Sequence, residues 1–152
     1  MSEVGCPLCA VVAALERADT CPGSTAGQML RKVRDLPASI AVLAPDQYYQ
    51  GYTMVVSKTH ATELYDLPER QSAQYYQDMV AVAKAIATAF RPRKMNYEAL
   101  GNTVGHLHWH LFPRYEWDPN PKGPTWETSH QPRLPSPEEY ADILAAIRRH
   151  LA

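Results

Sequence analysis

The chain has 152 residues and a formal net charge of −1. That length suits one domain, able to bury about 68–70% of the surface its unfolded form exposes. The near-neutral balance argues against a general nucleic-acid footprint, and no stretch approaches the roughly 18 apolar residues of a membrane span. Met1-Ser2-Glu3-Val4-Gly5 shows no basic region followed by an apolar run. The expected setting is therefore cytoplasmic and reducing, where a disulfide is not expected.

Cys6-Pro7-Leu8-Cys9 opens the readable pattern. Cys-x-x-Cys puts two thiolates within reach of one zinc ion. A thioredoxin-type redox pair is the rival reading, but nothing strand-like precedes the motif. Ala10 to Arg17 is an apolar run of good helix formers and predicts a short helix. Cys21 falls in a turn-rich loop, Thr20 to Ser24, and is read as an incidental free thiol. Gln28 to Asp35 alternates loosely and predicts a first strand. Ser39 to Ala44 predicts a buried strand, and Tyr52 to Ser57 its antiparallel partner. Lys58-Thr59-His60 follows.

Asp66 to Phe90 predicts the long helix, with Pro68 near its start where a missing donor costs nothing. Tyr75, Met79, Val82, Ala83 and Ile86 recur at three and four residues and form its apolar face. Arg91-Pro92 stops it. Met95 to Leu100 predicts a further strand, and Gly101 to Gly105 a turn.

Gly105-His106-Leu107-His108-Trp109-His110-Leu111-Phe112-Pro113-Arg114 comes next. Its period-two alternation predicts a half-buried strand. His106, His108 and His110 then share one face, over a groove, and Leu107, Trp109 and Leu111 face the core. Pro113 is expected to close the strand. Two chemistries fit three imidazoles in one row. They bind one metal, or the middle ring is a nucleophile or base oriented by its neighbours. Tyr115 to Pro135 is irregular, with Trp117 and Trp126, and is expected to lie against the body or a partner subunit. Ser136 and Glu139 form a capping box for a last helix, with Pro137 in its first turn. Strands grouped around an inserted helix favour an α+β fold with an antiparallel sheet.

His106 to Phe112 resembles the histidine-triad (HIT) signature, His-φ-His-φ-His-φ-φ with φ apolar. Pro113-Arg114-Tyr115, the Cys-x-x-Cys, Lys58-Thr59-His60 and the intervening long helix resemble the same family. The likeness runs from about Cys6 to Tyr115, and Asn96 to Asn102 resembles bacterial members of the diadenosine tetraphosphate hydrolase-like kind. The resemblance implies a single HIT domain over 1–152 with a core at about 6–115. Residues 116–152 form a Pro/Trp-rich extension and a C-terminal helix. The implied fold is an antiparallel sheet of about five strands with one long helix, a short N-terminal helix and a C-terminal helix. It usually assembles as a homodimer.

The resemblance further implies cleavage or transfer at the α-phosphorus of a nucleotide. The substrate would be a dinucleoside polyphosphate or a nucleoside phosphoramidate. His108 would form a covalent nucleotidyl-imidazole, with His110 and Asn102 contacting phosphoryl and leaving-group oxygens. Asp46 would bind ribose, since Ala44 stands where relatives carry Asn or Asp. Zinc-containing members imply a structural zinc held by Cys6, Cys9, His60 and His106. Two other readings compete: a tri-histidine metal-dependent hydrolase, and a non-catalytic nucleotide-binding protein.

Overall fold

The computed structural model describes residues 5–23 and 28–151. Its strands are β1 (Thr20–Pro22), β2 (Met29–Asp35), β3 (Ser39–Leu43), β4 (Thr53–Ser57), β5 (Lys94–Glu98) and β6 (His108–Arg114). Its helices are α1 (Pro7–Leu15), α2 (Glu69–Phe90) and α3 (Pro137–Arg149). One antiparallel sheet runs in the order β1-β2-β3-β4-β6-β5. The α+β expectation holds, with six strands in place of about five. The extra one is β1, three residues long, which pairs Cys21 with Leu30. Its Pro and Gly neighbours hid it, so Cys21 sits on a strand and not in a loop.

All five residues of β3 are buried, which tells that both faces of the sheet are covered there. Ala41 and Leu43 point to one face with Val55 and Leu111, beneath Val82 and Ile86 of α2 and Ile143 and Ile147 of α3. Ile40 and Val42 point to the other face with Leu30 and Val56, beneath Val12 and Leu15 of α1. Each fully buried aliphatic side chain adds about 1.5–3 kcal/mol. α1 has only nine residues and cannot reach across the sheet. The part of its face on β6 stays open, and that opening carries the histidine row.

Two buried polar side chains brace this frame. Asp78 of α2 accepts from the Ala38 N–H and the Ser39 hydroxyl, both at 2.8 Å. Gln47 donates to the Ala44 and Tyr52 carbonyls and accepts from the Gly51 N–H, which sets the β3–β4 connection. Gly51 has φ +92°, and a Cβ there would meet the Phe90 ring at 2.8 Å. That glycine is therefore required on two counts.

α1 runs from Pro7 to Leu15 rather than from Ala10 to Arg17, and β5 ends at Glu98 rather than Leu100; three further boundaries differ for local reasons. α2 starts at Glu69, not Asp66, because Leu67 precedes Pro68 and is held extended at φ −80°, ψ 142°. Asp66 closes a 3-10 turn instead, accepting from the Glu63 N–H. β6 starts at His108, because His106 turns out of the ladder to donate its N–H to the Val104 carbonyl. It also runs through Pro113, which pairs with Met95. Pairing with β4 ends at Leu111. At Pro113 the strand therefore has one neighbour only, where proline is tolerated. The Ser136–Glu139 capping box is present as expected.

Candidate active site and metal centre

Cys6, Cys9, His60 and His106 converge, with their ligand atoms all within 4.8 Å of one another. The Cys6 and Cys9 Sγ atoms lie 3.5 and 3.4 Å from His106 Nδ1. Cys9 Sγ is 3.3 Å from His60 Nδ1, and the two Nδ1 atoms are 3.3 Å apart. A tetrahedron with metal–sulfur bonds of about 2.3 Å and metal–nitrogen bonds of about 2.0–2.1 Å has edges of about 3.3–3.8 Å, the sulfur–nitrogen and nitrogen–nitrogen edges at about 3.3–3.6 Å. The donor set therefore fits a zinc ion in size as well as in chemistry. His106 is 1% exposed, and its Nε2–H donates to the Ser57 carbonyl at 2.8 Å. That bond leaves the Nδ1 lone pair facing the other three ligands, as an outer partner of a metal-bound histidine does. None of the three cysteines is in a disulfide.

His106 supplies a second anchor through its backbone. Its carbonyl accepts from His108 Nδ1–H at 2.6 Å. A carbonyl only accepts, so the proton of a neutral His108 ring sits on Nδ1 and its lone pair on Nε2. The His108 and His110 rings meet edge to face at 4.7 Å.

His110 Nδ1 lies 2.6 Å from the Tyr52 hydroxyl. Burial, with the Glu98 and Asp46 charges adding to it, pushes the Tyr52 phenol well above its ordinary value. Burial, with His108 adding to it, lowers His110 to about 4. Both groups are therefore neutral near pH 7. We assign the phenol O–H as the donor to Nδ1, which puts the His110 hydrogen on Nε2. The Tyr52 and Phe112 rings stack at 4.0 Å and steady this pair.

Three cavities meet along the row. The largest, about 520 Å³, is walled by Leu8, Val11, Ala14, Leu30 and Met54 and reaches Ala44, Asp46, Tyr52 and His108. A second, about 330 Å³, is formed by Leu100 to Val104 with His108 and His110, and Asn102 lines it. The third, about 300 Å³, lies beyond His110. The residues singled out in the sequence thus fall into two adjoining groups. Cys6, Cys9, His60 and His106 form one. His108, His110 and Asn102 form the other, with Asp46 in the neighbouring cavity. Asp46 is half-buried, and its Oδ1 accepts from the Tyr48 and Arg133 N–H groups.

Sequence reasoning missed Tyr52, which it placed only as the start of a strand. Met54 pairs with His110, so two residues back is the position that reaches the ring. Nothing in the sequence states that register. His130 was missed as well; Trp126, marked in the sequence by its aromatic character, lines the same cavity beside His110.

No helix among the described residues is long and apolar enough to cross a membrane. A family model described as the HIT domain matches residues 28–117. The "Protein hit" of Bacillus subtilis is 30% identical over 118 residues, covering 74% of this chain and 79% of that protein. A histidine triad protein from Bradyrhizobium japonicum superposes with a TM-score of 0.72 at 28% identity, over 92% of this chain and 96% of that one. A zinc-bound histidine triad family protein from Mycobacterium smegmatis shares the fold, with a TM-score of 0.63 at 24% identity over 97% and 96% of the two chains. The spacing of the triad, the sheet that carries it and these likenesses agree: the chain belongs to the HIT family.

Proposed function

We propose that this protein is a nucleotide hydrolase or nucleotidyl transferase that works through a covalent nucleotidyl-His108. The observation that carries the reading is the 2.6 Å bond from His108 Nδ1–H to the His106 carbonyl, which turns the Nε2 lone pair outward. That lone pair attacks the α-phosphorus, and the bond to the leaving group breaks with its electron pair on the leaving group. The leaving group takes a proton from solvent. Water or another acceptor then attacks phosphorus and frees His108. One hard displacement becomes two easier ones. His110 Nε2–H and the Asn102 amide donate to phosphoryl or leaving-group oxygens as their charge grows. The apolar 520 Å³ cavity suits a nucleoside, with Asp46 near its ribose.

Cys6, Cys9, His60 and His106 would hold a structural zinc, since four N/S ligands leave no open position for substrate. The tri-histidine metal reading finds less support, because the His106 donor faces the two cysteines, away from His108 and His110. A homodimer is in keeping with β5 at the sheet edge and with exposed Tyr76 and Val80 on α2. A cytoplasmic setting is in keeping with cysteines outside any disulfide.

The test is turnover of a nucleoside phosphoramidate and of a dinucleoside polyphosphate by wild type and His108→Ala. The expected loss is several powers of ten on whichever substrate is accepted, about what removing a covalent catalyst costs elsewhere. Acid quenching of the wild type should trap a nucleotidyl-protein. Full activity in His108→Ala overturns the mechanism. Tight nucleotide binding with no turnover across the panel overturns the enzyme reading in favour of a binding protein.

A further inference from the structure

Cys6-Pro7-Leu8-Cys9 has a second chemistry that the proposed mechanism does not use. Cys6 is the N-cap of α1, Pro7 follows it in the first turn, and Cys9 closes that turn. A Cys-x-x-Cys opening a helix has the spacing that redox pairs close into a disulfide. The two Sγ atoms lie within 4.8 Å of each other, and both face His106 Nδ1. Exposure separates their roles. Cys6 is 3% exposed, whereas Cys9 is half-buried. Cys9 is therefore the sulfur that a small oxidant reaches, with Cys6 behind it as the resolving partner. Cys21 is buried on β1, outside this group, and burial pushes its thiol up, away from the reactive thiolate.

What the pair holds in place is a wall. Leu8 stands between the two cysteines, and Leu8, Val11 and Ala14 line the large apolar cavity beside His108. The far half of α1 is packed on the sheet by Val12 and Leu15. Its first turn carries no side-chain cap and no acidic residue. That turn is anchored instead through the Cys6 and Cys9 contacts with His60 and His106. His106 is held independently, since its Nε2–H donates to the Ser57 carbonyl. The backbone carbonyl that orients His108 therefore stays in place when the sulfur contacts are lost.

Resting on the zinc reading of these four ligands, we propose that Cys6 and Cys9 form a hydroperoxide-sensitive switch on the affinity of that cavity. The Cys9 thiolate attacks the terminal oxygen of a hydroperoxide, and the O–O bond breaks. The alkoxide leaves and takes a proton from solvent, and Cys9 is now a sulfenic acid. The Cys6 thiolate attacks Cys9 Sγ, the S–O bond breaks, and the departing hydroxide takes a second proton. Two thiolates are oxidised to one disulfide, and one hydroperoxide is reduced to an alcohol and water. A disulfide sulfur is not a thiolate, so two of the four ligands are lost together and zinc held there would be released. The first turn of α1 then has no anchor, and the cavity wall loosens while the histidine row stays.

The experiment treats the full-length, zinc-loaded chain with hydrogen peroxide. A metallochromic dye should read about one zinc released per chain, while free thiols fall from three to one. Amide hydrogen exchange should quicken in α1 (Pro7–Leu15) and stay slow in β6 (His108–Arg114). The Kd for adenosine 5′-monophosphate should rise roughly tenfold, and dithiothreitol with added zinc should reverse every change. Cys21→Ser should release zinc as the wild type does. Four results overturn the switch and leave the zinc centre standing: zinc and thiols retained under peroxide, a disulfide that includes Cys21, α1 exchange unmoved by oxidation, or nucleotide affinity unmoved by it. A reduced protein that does not bind the nucleotide removes the affinity claim together with the nucleotide reading of the cavity. A chain that takes up no zinc removes the switch and the metal centre at once.

Discussion

At the scale of single residues, the chemistry depends on which nitrogen of each imidazole carries hydrogen. His108 is set by a backbone carbonyl, which no substitution of a side chain elsewhere can replace. His110 is set by a side chain, the Tyr52 hydroxyl, and that one is replaceable. Tyr52→Phe keeps the ring stacked on Phe112 but removes the donor to Nδ1. The His110 hydrogen is then free to sit on either nitrogen. The expected effect is a fall in kcat of roughly ten- to a hundredfold, somewhat below the loss of a full oxyanion donor. KM should change little. The pH profile adds a readout. The lone pair on Nδ1 is engaged in the wild type and His110 titrates at about 4, so above that pH the ring is neutral and rates should be insensitive to it. Loss of the phenol donor stabilises the neutral ring less, so the pKa should rise and an acid limb should move toward neutral pH. A variant that raises KM at constant kcat, with an unmoved profile, would make Tyr52 a wall of the pocket and nothing more.

At the scale of elements, the C-terminal extension is the part that composition could not place. Its prolines and tryptophans marked it as irregular. What fastens it is Arg114, the last residue of β6. The Arg114 side chain reaches Asp118 through Nε, Asn96 through Nη1, and the Gly123 and Asn120 carbonyls at 2.9 and 2.6 Å. One guanidinium thus pins 118–123 to the sheet, and that segment leads into the Thr125–Glu127 turn that carries Trp126. Arg114 is 4% exposed and Asp118 5%. Arg114→Ala leaves a buried carboxylate without its cation, a change that costs about 3–5 kcal/mol. For a chain of this size each kcal/mol is worth about 2–4 °C in Tm. A thermal melt should therefore show a drop of roughly 6 °C or more, and Asp118→Asn in the same background should recover part of it. A melt unchanged by Arg114→Ala would mean that the extension holds itself. The sequence named Arg114 only as part of a family pattern. Its partners are two backbone carbonyls and two side chains, and their approach depends on a loop path that periodicity does not encode.

At the scale of the molecule, the legible part was whatever repeats along the chain. Alternation over His106 to Leu111 placed the histidine row, and three-four spacing over Tyr75 to Ile86 placed α2 against the sheet. Strand order was not legible, because β4 pairs with β6 across α2 and β5, and no local pattern states that neighbour. The Cys2His2 group spans a long interval too. Cys6 and His106 are a hundred residues apart and meet because α1 lies on the sheet face beside β6. A metal held there would close a very long loop and clip α1 to the rest of the fold. His106, however, is held twice, since its Nε2–H also reaches the Ser57 carbonyl. Removing the metal should therefore free α1 more than it frees the strand with His108. α1 contributes Leu8, Val11 and Ala14 to the large apolar cavity beside His108. By elemental analysis the wild type should carry about one equivalent of zinc per chain, and Cys9→Ser should lose it and melt earlier. On a phosphoramidate substrate its KM should rise by roughly tenfold, the worth of about 1.4 kcal/mol of lost binding, with kcat within a few-fold of the wild type. The same split should follow chelation of the wild type. A collapse of kcat at constant KM would show instead that the metal, through His106, is what aims the His108 ring.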